Sequence, residues 1–464
     1  MSLPELVAKQ ANVVALPATG HQVVLGTAGT GKTTMAMWRA AHLARPQTRN
    51  AGPVLLVTYN NALVTYLRHL SPEPARQVTV ETYGRFARGY LNQRGLMPSW
   101  GGIATPAQRR SFVSAAVVEC LHEHPRSRLL STQDTGFFLD ELEWISGMGI
   151  RTLSEYQATK RYGRQSGLQD QGRERIWQVR SAYLRNRDAA GPRYDWYDIA
   201  TAVRQALAAD TDPRKYRHVV IDEGQDFSPE QVRSLTEAVP AEGSVSFFGD
   251  YHQAIYGQGL SWRASGLNVA RVERFRDNYR NTGEIARLAI AMAASKHMSL
   301  DVEDLVEPRA PRAAGPKPTL VRCKDRQDEI EVVRLQAADL AIDRPVAVLA
   351  RTWADAERAT AGLSVRKLDP EMRKWDPSPG IYIGAYHSGK GLEFGAVVLP
   401  FLGSDRVPLP EVVTVFGEDE ASAREARLLY VALTRARTDL LLTYSGERTA
   451  LLPNNPALYT EVDR

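Results

Sequence analysis

Short runs of apolar residues recur along the chain, separated by stretches in which apolar positions return at helical spacing. The first half contains HQVVLG, GPVLLVTY, QVTVE, RHVVID and SVSFFG, and the second contains PTLVRC, RPVAVLA, GIYIGAY, AVVLP and DLLLTY. Continuous apolar strands that alternate with helices are typical of parallel sheets covered by helices on both faces. The pattern therefore predicts an α/β protein with two α/β domains.

The stretch between QVTVE and RHVVID has a different character, because it is rich in Arg and aromatic residues and poor in strand signals. We interpret it as a helical insertion that interrupts the first domain. The predicted division is a first domain of residues 1–92 and 201–275, an insertion of residues 93–200, and a second domain of residues 276–464.

Within the insertion, apolar residues at helical spacing predict a core that includes Ile176, Val179 and Tyr183. Basic residues interleave with Tyr156 and Tyr162, an order that a surface following a nucleic-acid backbone would require. The basic residues fit a solvated or protein-binding face equally well, and they are Arg151, Lys160, Arg161 and Arg164.

Composition narrows the classes of protein only slightly. The formal net charge of +5 over 464 residues mildly favours a polyanionic partner. Cys120 and Cys323 are far apart in the chain, which predicts neither a disulfide framework nor a zinc site. The N-terminus has no signal-peptide pattern, and no stretch is apolar enough to span a membrane. We expect a cytoplasmic protein with no membrane association.

The first motif with recognisable chemistry is GTAGTGKTT, which follows the apolar HQVVL and precedes a helical pattern. Glycines let backbone N–H groups turn towards a phosphate at the start of a helix, a lysine reaches the β and γ phosphates, and a threonine hydroxyl can bind Mg²⁺. The motif predicts a nucleoside triphosphate site formed by Gly26, Gly29, Gly31, Lys32, Thr33 and Thr34, with Thr33 as a metal ligand.

A second motif, VVIDEGQD, ends another apolar run. Asp222 at the end of the strand would complete the Mg²⁺ site with Thr33, and Glu223 would orient and deprotonate the attacking water. Two acidic residues after a strand are often only a helix N-cap. Because the Lys32 loop is present as well, hydrolysis of the nucleotide is the better interpretation.

The chain resembles the UvrD/Rep-type helicases of superfamily 1, and the matching segments occur in the family's order. After the two motifs above, these are VTYNNALVTYL, VETYGRFA, GDYHQAIY, DNYRNTGEIA, AYHSGKGLEF and EARLLYVALTRAR. In DEGQD, Gly224 stands where the family more often carries Ala. The resemblance implies two RecA-like P-loop NTPase domains with a helical insertion in the first, and ATP with Mg²⁺ as cofactors.

The resemblance also implies roles for individual residues. Gln10 matches the glutamine that reads adenine, Tyr279 the aromatic residue that stacks on adenine, and Glu393 the acid near the ribose. Positive charge from the second domain would stabilise the transition state of phosphoryl transfer. The implied catalytic residues are Lys32, Asp222, Glu223, Gln253, Arg280 and Arg435.

Single-stranded DNA contacts follow from the same resemblance, and the residues are Asn60, Asn61, Tyr83, Tyr256 and His387. Tyr256 follows Gln253 by three residues, so one loop would contact the γ-phosphate at one end and stack a base at the other. The alternatives are that Tyr256 packs into the core and that His387 has a structural role.

Two departures from the family concern the DNA side. Only residues 354–379 separate VAVLARTW from GIYIGAYHSGKGLEF, which leaves no room for subdomain 2B of the larger helicases. Ala254 replaces the family's Ser, and GQGLS displaces Trp262 from Tyr256. The chain ends soon after EARLLYVALTRAR, so we expect any associated nuclease to be a separate protein.

Together, these features predict an ATP-dependent translocase on single-stranded DNA, or on duplex with a single-stranded tail, and a DNA helicase that acts in DNA repair, recombination or phage defence. The resemblance alone implies movement from 3′ to 5′. One alternative is a DNA-gated ATPase subunit of a nuclease-containing complex. A second is an RNA-directed motor, and a third is a nucleotide-dependent binding module without hydrolysis. A metabolite kinase would leave the later motifs without an explanation.

Overall fold

The computed structural model describes residues 5–59, 61–70, 78–98, 100–161, 167–250, 262–298, 306, 313–369, 371–372 and 374–464. Its strands are β1 (Gly20–Gly26), β2 (Val54–Thr58), β3 (Val78–Thr82), β4 (His218–Ile221), β5 (Ser244–Gly249), β6 (Val272–Phe275), β7 (Thr319–Cys323), β8 (Pro345–Ala350), β9 (Val365–Lys367), β10 (Gly380–Ala385), β11 (Phe394–Leu399), β12 (Ala436–Ser445) and β13 (Thr460–Asp463).

Helices connect most of these strands. They are α1 (Ala8–Val14), α2 (Lys32–Ala44), α3 (Asn61–Leu70), α4 (Tyr83–Gln93), α5 (Pro106–Glu123), α6 (Arg128–Thr132), α7 (Thr135–Met148), α8 (Leu153–Ala158), α9 (Asp170–Ala189), α10 (Ile199–Ala209), α11 (Pro229–Glu237), α12 (Gly283–Ala293), α13 (Arg326–Leu340), α14 (Trp353–Ala359), α15 (Pro410–Phe416) and α16 (Glu418–Leu433).

The strands form two sheets, and every strand pair in them is parallel. The first sheet has the order β3-β2-β4-β5-β1-β6, and the second has the order β13-β7-β12-β11-β8-β10-β9. Each of the ten apolar runs of the sequence overlaps one of these strands. The prediction of parallel α/β sheets is therefore confirmed.

Each sheet is buried on both faces, because neighbouring residues of a strand point to opposite sides. In β1, Val23 and Leu25 belong to one apolar cluster, whereas Val24 belongs to the cluster on the other face. In β8, Ala347 and Val348 divide between two clusters in the same way. The carboxyl ends of such buried strands are where ligands bind in α/β proteins.

The segment between β3 and β4 is helical, as predicted, and has its own apolar core. Ile176, Val179 and Tyr183 are buried in that core, which confirms their predicted place. Tyr156 is also fully buried and donates to Glu141, so the prediction that it lies on a nucleic-acid surface is wrong. Arg161 is buried beside it because it pairs with Glu141 at 2.6 Å. Tyr162 and Arg164 lie outside the described residues.

The units around the two sheets meet along several contacts. Helix α3 follows β2 of the first sheet, yet its Ala62 belongs to the core of the second. The insertion reaches the second unit as well, through a two-pronged ion pair between Asp140 of α7 and Arg424 of α16 with N–O distances of 3.1 and 3.2 Å. In the part of the chain that the structure describes, every helix is too short or too polar to cross a lipid bilayer.

Candidate functional site

The glycine-rich loop joins β1 to α2 at the carboxyl edge of the first sheet. Gly29 and Gly31 have φ values of +76° and +79°, a backbone conformation that favours glycine. A Cβ at Gly29 would also stand 2.1 Å from the side-chain oxygen of Asn278, which precedes α12. The loop is therefore closely packed against the segment that leads into the second sheet.

Lys32 begins α2 and is 7% exposed. Its Nζ donates to the carbonyl of Thr27 at 2.8 Å and lies 3.5 Å from a carboxylate oxygen of Asp250, which follows β5. Thr33 and Thr34 occupy the next two positions of the helix and are partly exposed. The ammonium group is thus held over the loop, where a phosphate would be bound.

Asp222 and Glu223 follow β4, next to the loop in the same sheet edge. Both carboxylate oxygens of Asp222 are buried, and neither has a hydrogen-bond partner among the residues that the structure describes. Burial and the neighbouring Glu223 raise the pKa of Asp222 to about 7. An unsatisfied buried carboxylate beside Thr33 suits a hard cation that takes oxygen ligands, so these residues fit Mg²⁺.

Glu223 is ionised because cations surround it. Burial alone would raise the pKa of Glu223, but Lys390, Lys32 and Arg435 outweigh burial and lower it. The side chain accepts a hydrogen bond of 2.6 Å from Gln225, and the backbone φ of +54° is strained for a residue other than glycine. These features suit a carboxylate that must stay charged and fixed in direction.

Gly224 departs from the family's usual Ala for a steric reason. A Cβ at this position would stand 2.4 Å from the ring of Phe247 in β5. The ring therefore occupies the space that an alanine methyl group would need.

Two arginines of the second unit lie near this carboxylate edge, and their contact with a γ-phosphate stays a prediction. Arg435, just after α16, is fully buried and donates from Nε to the carbonyl of Val431 at 2.9 Å. Burial and the nearby Arg280 lower the pKa of Arg435 to about 10, which leaves it protonated at neutral pH. Arg280 lies in the segment before α12.

Arg280 is held by Glu393, the residue predicted to lie near the ribose. Nε and a terminal nitrogen of Arg280 both contact one oxygen of Glu393, at 2.7 and 2.6 Å. Burial would raise the pKa of Glu393, but Arg280 and Arg437 outweigh burial and lower it. The contact of Glu393 with a ribose stays a prediction.

Sequence reasoning missed an ion pair that joins the two units. Lys390, in the GKG of AYHSGKGLEF, binds the carboxylate of Asp226, the last residue of DEGQD, with N–O distances of 2.8 and 2.7 Å. Both side chains are almost fully buried. The two residues lie 164 positions apart, so the sequence alone offered no signal for this pair.

Replacing Lys390 by Met is expected to lower kcat about 10- to 100-fold, because a cation beside the charge of the reaction is removed. Without Lys390, the pKa of Glu223 should rise, since Lys390 is the strongest of the charges that lower it. The acidic limb of the kcat/KM profile should therefore move to higher pH. An unchanged profile would contradict the electrostatic role. Adding Asp226→Asn controls for instability, because it removes the negative charge that would stay buried after the loss of Lys390.

The predicted base-binding residues stand at one end of the loop. Gln10 of α1 donates from Nε2 to the carbonyl of Thr30 at 2.9 Å and accepts from the backbone of Val7 at 3.1 Å. Tyr279 has a ring that is 54% exposed, and its backbone N–H donates to Gly29 at 2.8 Å. Both residues are thus attached to the loop itself.

The predicted DNA contacts have mixed outcomes. Asn60 and Tyr256 lie outside the described residues, as does Gln253, the residue predicted to contact the γ-phosphate. Asn61 is exposed at the start of α3, and its contact with DNA stays a prediction. His387 is half-buried, and burial together with Arg351 lowers the pKa of its imidazole, which is neutral at neutral pH; its contact with DNA also stays a prediction.

The prediction that Tyr83 contacts DNA is wrong, because its ring is only 4% exposed. The ring lies in the apolar core under the first sheet, and its hydroxyl is 2.7 Å from that of Ser234 in α11. Burial accordingly raises the pKa of Tyr83. Trp262 is likewise buried in this core and offers no face to a base.

An exposed aromatic ring that sequence reasoning did not select lies near Tyr83. Trp196, from DWYD, is 43% exposed and packs over Gly84 of α4, where a Cβ would stand 3.0 Å from its ring. Arg85 and Arg88 are exposed on the same helix. Trp196 lies between Asp195 and Asp198, and its place in this polar stretch was the signal that the sequence offered.

Comparison with known proteins agrees with this geometry. Residues 6–269 match the model of the UvrD/REP helicase N-terminal domain, and residues 359–447 match that of the UvrD-like helicase C-terminal domain.

Individual relatives are distant in sequence. The chain is 24% identical to ATP-dependent DNA helicase UvrD2 of Mycobacterium tuberculosis, over 93% of this chain and 77% of that protein. It is 25% identical to DNA helicase IV of Escherichia coli, where the match covers 53% of this chain but only 35% of the relative. A probable DNA helicase of Mycoplasma pneumoniae is 22% identical over 91% of this chain and 80% of its own length. With the N-terminal family model covering more than half of its residues, the chain belongs to the UvrD/REP helicase family.

Proposed function

We propose that the protein is a motor that hydrolyses ATP with Mg²⁺ and moves 3′ to 5′ on single-stranded DNA. The main support is the convergence of charges from two units on one carboxylate. Lys390 follows β10 and Arg435 follows α16, both in the second unit. Both residues nevertheless lower the pKa of Glu223, which lies at the edge of the first sheet. An active site divided between two units changes when the units move, which is what a motor needs.

Binding of ATP begins at the loop between β1 and α2. A phosphate oxygen takes the place of Thr27 and Asp250 as the partner of Lys32, while the N–H groups of the loop surround the phosphates. Asp222 and Thr33 would hold Mg²⁺. Bound there, Mg²⁺ would supply positive charge to the phosphates.

Hydrolysis then depends on residues from both units. Glu223, fixed by Gln225, orients a water and accepts its proton. Arg435 and Arg280 place positive charge where negative charge develops on the transferred phosphoryl group. Glu393 limits the positions that Arg280 can adopt, because two of the guanidinium nitrogens contact its carboxylate.

Single-stranded DNA binds on a surface that includes Trp196, Arg85 and Arg88. Arginines supply charge to the phosphates, and the indole ring supplies a face on which any base can stack. Asn61 and His387 are proposed as further contacts with the DNA.

Changing Trp196 to Ala is expected to raise the single-stranded DNA concentration that half-saturates the ATPase by about tenfold, the loss of one stacked base. The basal rate without DNA should stay the same. Trp100→Ala is the matched control, because Trp100 is 93% exposed and has no place in the proposed surface. An equal effect of both changes, or a fall in the basal rate, would remove Trp196 from the DNA surface.

Strand separation is proposed to require a partner. From β8 to β10 the described residues hold only α14 and β9, where larger relatives carry subdomain 2B. The second candidate is accordingly a DNA-gated ATPase subunit of a nuclease-containing complex.

Displacement of streptavidin from biotinylated oligonucleotides separates these possibilities. A 3′ to 5′ motor displaces streptavidin from the 5′ end when ATP is present, and leaves the 3′ end occupied. Displacement from the 3′ end alone would contradict the direction. ATP hydrolysis without displacement from either end would favour the DNA-gated subunit.

A further inference from the structure

Arg39 is a fully buried arginine that the catalytic scheme does not use. It lies on α2, seven residues after Lys32, so both side chains leave the same face of the helix. Among the described residues, no carboxylate forms an ion pair with it. Burial lowers the pKa of Arg39 to about 10, so the guanidinium remains protonated at neutral pH. A buried cation without an acidic partner needs another source of stabilisation.

That stabilisation comes from the backbone that leaves α1. One terminal nitrogen of Arg39 donates to the carbonyls of Val14 and Leu16 at 2.9 and 2.5 Å, and the other donates to Pro17 at 2.6 Å. Nε lies 3.4 Å from the hydroxyl of Ser246 in β5. The last carbonyls of a helix lack partners within the helix and attract positive charge. Arg39 therefore fastens the carboxyl end of α1 to the helix that follows the glycine-rich loop.

The other attachment of α1 is Gln10. Its Nε2 donates to Thr30 in the loop, and a Cβ at Gly31 would stand only 2.7 Å from that nitrogen. Helix α1 spans only residues Ala8–Val14, and a helix of that length is not stable in water on its own. Its position is thus determined by Gln10, by Arg39 and by the buried side chain of Val13.

We infer that Arg39 is a positioning residue that sets the distance between Gln10 and the phosphate loop, and thereby the enzyme's discrimination between nucleobases. This inference rests on the proposed function and on the predicted contact between Gln10 and the adenine of ATP. Arg39 touches neither the base nor the phosphates. It acts through α1, because it binds the carbonyl of Val14, the last residue of that helix, and the carbonyls of Leu16 and Pro17 just beyond it.

Arginine suits this position better than lysine. A guanidinium offers several N–H groups in a fixed plane, so it can bind carbonyls in different directions at once. The ammonium group of a lysine is a single point with three donors, and it would reach fewer of the three carbonyls. Arg39→Lys should therefore retain part of the function, whereas Arg39→Gln should lose most of it.

The test compares ATP and GTP hydrolysis at saturating single-stranded DNA in wild type, Arg39→Gln, Arg39→Lys and Gln10→Ala. We expect the KM for ATP to rise about tenfold in Arg39→Gln, with kcat within about twofold. The KM for GTP should change little, so the preference for ATP should fall. Gln10→Ala should show the same pattern, and the double variant should be no worse than either single variant, because both act through one contact.

A purely structural role of Arg39 predicts a different result. KM would rise or kcat would fall equally for ATP and GTP, or the effects of Arg39→Gln and Gln10→Ala on KM would be additive in the double variant. Either outcome would overturn the inference while Gln10→Ala still reports on the base contact. Hydrogen exchange of the α1 amides supplies a readout that does not depend on hydrolysis. Exchange should be faster in Arg39→Gln than in wild type, and Arg39→Lys should be intermediate. If Arg39→Gln fails to fold, Arg39→Lys replaces it in this measurement. Unchanged exchange of the α1 amides in Arg39→Gln would overturn the inference. Failure of the wild-type protein to hydrolyse ATP would refute the proposed function, and the exchange measurement would still test the inference.

Discussion

Glu223→Gln should reduce ATP hydrolysis by about a thousandfold or more while ATP binding is retained. An amide cannot accept the proton of the attacking water, although it has nearly the shape of the carboxylate. The pKa of Glu223 is lowered by Lys390, Lys32 and Arg435, so the wild-type carboxylate is ready to act as a base at neutral pH. Phosphate release in a single turnover measures the chemical step, and equilibrium binding of a fluorescent ATP analogue measures affinity.

A matched control for this substitution is Gln225→Ala. It leaves the Glu223 carboxylate in place but removes the 2.6 Å hydrogen bond that orients it. We expect an intermediate loss of about tenfold in kcat. Normal hydrolysis by Glu223→Gln would show that another group activates the water, and loss of ATP binding would show that Glu223 acts on the nucleotide itself.

Lys32→Ala should weaken ATP binding about a hundredfold or more, equivalent to about 2.7 kcal/mol. The ammonium group lies over the loop, between the Thr27 carbonyl and Asp250, and it is the charge that the phosphates would meet. Its removal also leaves the buried Asp250 without this partner, so some loss of stability is expected.

The control for the second effect is the double variant Lys32→Ala with Asp250→Asn. The neutral amide should restore stability in thermal unfolding, but it should not restore ATP binding. Wild-type affinity in Lys32→Ala would remove the loop from the nucleotide site. Recovery of affinity in the double variant would mean that Asp250, and not the lost ammonium group, was responsible.

The strands were predictable because buried parallel strands need consecutive apolar residues, as in HQVVLG and SVSFFG. The phosphate loop was predictable because its chemistry is local, with glycines, Lys32 and Thr33 in one short segment. Contacts between distant segments were not. Nothing in the sequence alone pairs Asp226 with Lys390, which lie 164 residues apart.

Side-chain direction was the other source of error. Tyr83 opens α4, and its burial depends on Ser234 and other core residues that lie far away in the sequence. The same residue type in the same motif can therefore point to solvent or into the core. Arg161 was interpreted as a surface residue, but it is buried beside an acidic partner. That partner, Glu141, is twenty residues away, and the sequence does not show that the two meet.

Steady-state ATPase rates test the central claim most directly, measured without nucleic acid and with single-stranded DNA, duplex DNA or RNA, each at two salt concentrations. We predict strong stimulation by single-stranded DNA that weakens at high salt, because phosphate contacts contribute to binding. Equal rates in all four conditions would contradict the account of a DNA-driven motor, and stronger stimulation by RNA would contradict its substrate.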